Sequence, residues 1–284
     1  RNSGVDFTVK WEDSLKDFRY GIRLTGTTIK NEVISLGGKR IASGDIGAGK
    51  SVQMTEEGKP IKYFYGYNVI GIFQNEAQIK DYNERAAAAT GNAGQQYQNN
   101  VGPGDLIYED VDGDGYITAN DRKDLGSPTP KFIGGLGISA SWKGFDLSMV
   151  WAGAAGFSIY WGATTGYNAA STEWGSTIAQ RVAENHYFYN PENPDDPRTN
   201  INAKYPRMAY IDGYVQNRHG NTTLWLYKGD YIKLKNLSLG YTLPKNWVSK
   251  IAMQNARVYV SAENLLTITG FEGQDPESAT GMGY

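Results

Sequence analysis

The densest chemistry in this chain lies between Asp110 and Asp121, which reads Asp-Val-Asp-Gly-Asp-Gly-Tyr-Ile-Thr-Ala-Asn-Asp. Carboxylates recur at alternate positions, Asp110, Asp112 and Asp114, and hard oxygen ligands at that spacing can converge on one cation. Gly115 stands where the EF-hand calcium loop turns sharply. Tyr116 would offer its backbone carbonyl, and Thr118 a direct or water-mediated oxygen. Asp121 replaces the usual Glu, and its shorter arm suits one-oxygen ligation. Neither flank reads as a helix, so the expectation is a calcium loop without the hand. The Ca2+ would be structural, since no nucleophile or base accompanies it. The plain alternative is an acidic Asp-Gly turn without an ion, but carboxylates this close repel one another unless a cation neutralises them.

Other chemical signals are weaker. Gly44-Asp-Ile-Gly-Ala-Gly49-Lys50-Ser51 matches the phosphate-binding loop pattern. That loop needs a buried parallel strand before it and a helix after it. Here Gly37, Gly38, Lys39 and Arg40 precede it, and Glu56-Glu57-Gly58-Lys59-Pro60 follows, so a Gly-rich loop is expected instead. His186 and His219 are the only histidines and both fall in loop stretches. No catalytic set emerges, and the chain is not expected to be an enzyme. An aromatic segment holds Tyr160, Trp161, Tyr167, Trp174, Tyr187, Phe188 and Tyr189. Its rings could meet a substrate or a partner, or pack the segment onto itself.

The elements that would position these groups read as strands. Val5, Phe7, Val9 and Trp11 alternate with Asp6, Thr8, Lys10 and Glu12. A polar turn, Asp13 to Asp17, leads into Phe18, Tyr20, Ile22 and Leu24, which alternate with Arg19, Gly21, Arg23 and Thr25. The pattern recurs from Phe132 to Trp142 and, after Lys143-Gly144, from Phe145 to Trp151. A third pair runs from Tyr231 to Thr242 and from Ala256 to Thr267. The phase slips between Leu234 and Leu237, which predicts a bulge at Lys235-Asn236. The connections alternate: about 5, 2 and 13 residues after the first, third and fifth strands, but long ones, about 30–131 and 155–230, after the second and fourth. All short turns therefore share one end, as in outer-membrane barrels with short periplasmic turns and long extracellular loops. Val5, Phe7, Val9, Ile22, Leu24, Leu147 and Met149 would face lipid, and Lys10, Arg19, Arg23 and Asp146 the lumen. Trp11, Trp142, Tyr241 and Trp247 would form an aromatic girdle near the short turns.

Composition agrees. The 28 Lys and Arg against 30 Asp and Glu exclude the basic excess of a general nucleic-acid binder. The absence of Cys excludes disulfides and thiolate metal sites. No apolar run is long enough for a membrane helix, but a barrel wall alternates and needs none. The 20 Tyr, 7 Trp and 35 Gly suit girdles and glycine-rich wall strands, and would also suit a soluble secreted calcium-containing carbohydrate-binding β-protein. Six strands cannot close a barrel, because single-chain examples begin at about 8. The expected fold is thus all-β: residues 1–284 form part of an antiparallel transmembrane β-barrel.

Collinear motifs sharpen this. They include Tyr63-Phe64-Tyr65-Gly66-Tyr67, Pro103-Gly104-Asp105, Asp110 through Gly115, Leu125-Gly126-Ser127-Pro128-Thr129-Pro130, Leu234-Lys235-Asn236-Leu237-Ser238-Leu239-Gly240-Tyr241, and Ser261-Ala262-Glu263-Asn264-Leu265. Together they resemble the C-terminal part of SusC-like TonB-dependent transporters. The resemblance implies a 22-stranded outer-membrane barrel with a plug, energised by TonB. It also implies a SusD-like lipoprotein as partner, and import of oligosaccharides or, in some members, peptides. The plug and the TonB-contacting segment have no counterpart in this sequence.

Overall fold

The computed structural model describes residues 1–45, 51–161, 180–208, 221–251, 253–273 and 275–277. Six long strands form one antiparallel meander: β1 (Asp6–Leu15), β2 (Phe18–Thr28), β3 (Phe132–Trp142), β4 (Phe145–Ala155), β5 (Tyr231–Thr242) and β6 (Arg257–Thr269). They are 10 to 13 residues long, enough to cross a bilayer when tilted, which takes about 9–11.

Period-two alternation sorts the side chains because successive Cβ atoms point to opposite faces. One cross-strand row runs Trp11, Ile22, Ile138, Met149, Leu237, Ala262; the next runs Val9, Leu24, Leu136, Trp151, Leu234, Leu266. The other face carries Lys10 beside Arg23, and Arg19 beside Ser141 and Asp146. The apolar face is uncovered: Val9 is 59% exposed and Val260 67%. A soluble sandwich would have buried those residues between two sheets.

At one end the chain turns tightly. Lys143 and Gly144 both take positive φ, 46° and 90°, the conformation a two-residue hairpin loop requires. A Cβ at Gly144 would lie 2.8 Å from the Thr242 carbonyl oxygen. The first turn is shorter than expected. Leu15 pairs with Phe18 across Lys16 and Asp17, so the strand continues through Asp13 and Ser14. That extension moves Trp11 away from the turn to a place opposite Ile22. The turn-end ring row is instead Phe18, Trp142, Phe145 and Tyr241. Trp247 lies in a short helix, Lys245–Val248, between β5 and β6. The bulge falls as expected: Lys235 is left out of both ladders, between Leu234 and Asn236. On β6, Asn264 answers it with φ 51°.

The described residues of the two long connections, within 33–128 and 159–227, form their own compact unit. It contains a four-stranded antiparallel sheet in the order Lys123–Gly126, Tyr63–Gly66, Ser51–Thr55, Ile41–Asp45. It also contains α1 (Glu76–Thr90), which the sequence reading missed. Only Ile79 and Ala86 of this helix are buried, so it shows no apolar stripe of helical period. Its ends were nonetheless written in the chain. The Asn75 side chain accepts from Gln78 N at 2.9 Å, and Gly91 closes the helix at φ 69°. Two cores hold the unit. Val52, Phe64, Tyr160, Val182, Tyr205 and Trp225 form one, and Phe73, Ile79, Ala86, Tyr97 and Ile107 the other. Ile41–Asp45 and Ser51–Thr55 pair antiparallel, so the phosphate-loop match lacks its strand-to-helix frame; residues 46–50 lie outside the described residues.

Candidate functional site

Ligand oxygens of Asp110, Asp112 and Asp114 lie within 4.8 Å of one another. Local backbone bonding holds them there. Asp110 accepts from Gly113 N at 2.7 Å and Gly115 N at 2.9 Å; Asp114 accepts from Tyr116 N at 3.1 Å. Gly115, at φ 91°, rests on α1, where an added Cβ would come 2.6 Å from that of Ala89. Tyr116 and Ile117 pack on the core that contains Ile79 and Ala86, and Ile117 N donates to the Tyr97 carbonyl at 2.6 Å. Desolvation raises the Asp112 carboxyl above its usual range, and the charges of Asp121, Asp114 and Asp110 add to the rise. Asp121 stands apart from the convergent three. It is fully buried and accepts from Val111 N at 2.8 Å and Thr118 N at 2.7 Å. Thr118 in turn caps the 3-10 turn Ala119–Asp121 by accepting from Asn120 N at 3.0 Å. The three clustered carboxylates form an oxygen-rich set of the type that suits a hard divalent cation, and Thr118 with Asp121 locks the loop's exit.

The aromatic segment divides. Tyr160 is buried in the first core. Trp161 meets Tyr227 edge-on, with the Arg181 guanidinium 3.6 Å from its ring centroid. Tyr167 and Trp174 lie outside the described residues. Tyr187 is buried, and its hydroxyl donates to the Gln74 carbonyl at 2.7 Å, just before α1. Phe188 lies under the Arg198 guanidinium at 4.6 Å, and Tyr189 is 41% exposed. Thus part of the segment packs onto its own unit while Phe188 and Tyr189 line a cleft of about 790 Å³. The start of α1, Pro103, His186 and Arg207 complete its walls. Arg207 grips the fully buried Asp105 with two bonds of 3.0 Å. This pair joins residues far apart in sequence, and no local pattern announces it.

The polar face of the six-stranded sheet has its own pairing. Arg257 on β6 reaches over β5 to Asp146 on β4, with bonds of 3.0 and 2.5 Å. Gly240 makes the crossing possible, because a Cβ there would lie 2.3 Å from the guanidinium. Lys233 binds Asp275 at 2.6 Å and Glu277 at 3.2 Å. Arg19 and Arg23 have no ion pair among the described residues.

No protein-family model matches the chain. TonB-dependent receptor P3 of Formosa agariphila is 30% identical over 282 residues, 98% of this chain and 25% of that protein. TonB-dependent receptor SusC of Bacteroides thetaiotaomicron is 20% identical over 285 residues, 99% of this chain and 24% of that protein. Among solved structures, the RagAB peptide transporter shares the fold with TM-score 0.68 at 22% identity, over 99% of this chain and 27% of that one. The RagAB peptide importer in its "open-open" state aligns with TM-score 0.64. The chain thus spans about a quarter of the length of the relatives it matches. Those relatives are receptors and importers, not enzymes. The uncovered apolar face, the one-ended short turns and the similarity along nearly the whole chain agree: the chain is similar to about one quarter of a SusC-like TonB-dependent receptor, and its six long strands share the antiparallel fold of such a barrel wall.

Proposed function

We propose that the complete protein imports oligosaccharides or peptides across the bacterial outer membrane. The observation that carries this is the sheet itself, with an exposed apolar face, a polar inner face and all short turns at one end. In this reading the lipid bilayer covers the apolar face and the remaining barrel strands pair with the edges of β1 and β6. The long connections are extracellular and meet a SusD-like lipoprotein. Energy comes from TonB through parts of the protein outside this chain. The name SusC and the RagAB peptide-importer structures support a nutrient-import role. The near balance of charge gives no support to a nucleic-acid partner.

Within the first long connection, a structural Ca2+ bound by Asp110, Asp112, Asp114 and the Tyr116 carbonyl would tie the loop to α1. Ca2+ suits this loop better than Mg2+ because it accepts about 6–8 oxygens in loose geometry. Thr118 and Asp121 would supply a water-mediated oxygen and the fixed exit.

The test of import is genetic and chemical. Cells without the full-length receptor should lose uptake of one class of oligosaccharide or peptide, and cells without TonB should lose the same class. Normal uptake of every solute in both strains would overturn the reading.

A further inference from the structure

The cleft at the start of α1 has a charge balance that selects its occupant. Its cation, Arg207, is already neutralised by the buried Asp105 carboxylate, which accepts two bonds of 3.0 Å from it. His186 has its Nδ1 2.7 Å from the Ala183 carbonyl. The remaining charged wall residue is Glu76, exposed at the first position of α1, with no hydrogen bond or ion pair to its side chain among the described residues. The Tyr189 ring, 41% exposed, lines the same cleft, and Pro103, Pro191 and Met208 add apolar wall. The N-terminus of α1 contributes roughly half a positive charge. It therefore offsets only part of the Glu76 carboxylate, and the cleft stays net negative. An anionic ligand would meet that carboxylate directly. A cation on an apolar stem meets both a counter-charge and a ring face. The volume, about 790 Å³, falls in the range of small-ligand sites, about 300–1,000 Å³.

We infer that this cleft binds the lysine or arginine side chain of a peptide, with Glu76 as the counter-charge and Tyr189 as the stacking wall. The inference rests on the import reading and narrows its substrate class at this site.

The experiment uses the purified full-length receptor and two probes, Gly-Lys-Gly-Lys-Gly and Gly-Gln-Gly-Gln-Gly. Titration calorimetry should show the lysine peptide binding about tenfold tighter at low salt, the combined size of a partly screened ion pair and a cation–π contact. The preference should shrink in high salt. Glu76→Gln should reduce it to less than about threefold, and Tyr189→Ala should weaken the lysine peptide more than the glutamine one. An unchanged thermal transition of both variants keeps the comparison free of folding effects. Equal affinity for the two probes, or a lysine preference that survives Glu76→Gln, overturns the assignment. So does equal binding of a neutral oligosaccharide such as maltopentaose in competition with the lysine peptide. The two readings fail separately. If cells import other solutes through the receptor but the purified protein ignores lysine, the cleft assignment fails alone. If lysine peptides bind as described but no solute enters cells, the import reading fails alone.

Discussion

At the scale of single residues, the Asp loop and its neighbours make the most decisive test. Asp110, Asp112 and Asp114 converge without help from distant chain, so their repulsion is local and a cation is the natural remedy. Substituting Asp112 and Asp114 with Asn should leave the barrel assembled while speeding proteolysis between Gly102 and Lys123. Chelating calcium should do the same to the native protein. Unchanged cleavage after chelation would show that no ion shapes the loop. A second residue-scale test concerns Glu57. Its carboxylate accepts from Leu36 N at 2.5 Å and Gly38 N at 3.1 Å. The Leu36 bond, with help from Gly38, holds its pKa below the usual carboxylate range. A depressed pKa stabilises the folded state above the unfolded value and loses that contribution as pH falls through the folded value. Protection of the Leu36 and Gly38 amides, taken relative to intrinsic exchange at each pH, should therefore be high at neutral pH and fall once the pH drops below the usual carboxylate range. Glu57→Gln should remove that pH dependence. Protection that stays flat across this range in the native protein would refute the assignment.

At the scale of elements, the sheet makes a face-specific claim. Leu147 lies on the apolar face and Ser148, its neighbour along β4, on the polar one. Met149, on the same apolar face nearer the middle of β4, gives the test: Met149→Arg in the full-length protein should cost about 2–4 kcal/mol near the bilayer midplane, whereas Ser148→Arg should cost little. Folding titrations into lipid vesicles measure both, and equal costs would argue against the assigned faces. For α1, Asn75→Ala removes the acceptor for Gln78 N and should lower the helix's stability by about 1 kcal/mol. Faster amide exchange confined to the first turn of α1 would report it. Exchange indistinguishable from the native protein would mean the cap is redundant.

At the scale of the whole molecule, the alternation of short and long connections fixes which ends of the strands lie together, and extracellular long connections follow from the import reading. A cysteine at Tyr189 should react with a membrane-impermeant maleimide on intact cells, and one at Lys143 only after the outer membrane is opened. The reverse pattern would invert the topology. Much of this was legible in the sequence, and the reason is physical. Strand faces follow a period of two residues, so six strands, their two faces and the Lys235 bulge could be read from nearest neighbours alone. The convergence of Asp110, Asp112 and Asp114 was legible for the same reason, because the three carboxylates lie within one short stretch. The sequence reading erred where the signal was faint or extended: it ended the first strand too early, which misplaced Trp11, and it passed over α1, whose two buried residues draw no stripe.

Tertiary structure alone decided the rest. The Arg207 bond to Asp105, the Tyr187 hydroxyl on the Gln74 carbonyl and the reach of Arg257 over Gly240 to Asp146 each join residues about a hundred positions apart. The cleft exists only because both long connections fold into one unit. Local alternation is written along the chain by stereochemistry. Contacts between distant segments depend on which surfaces the folded backbone brings together, and no single stretch of sequence carries that information.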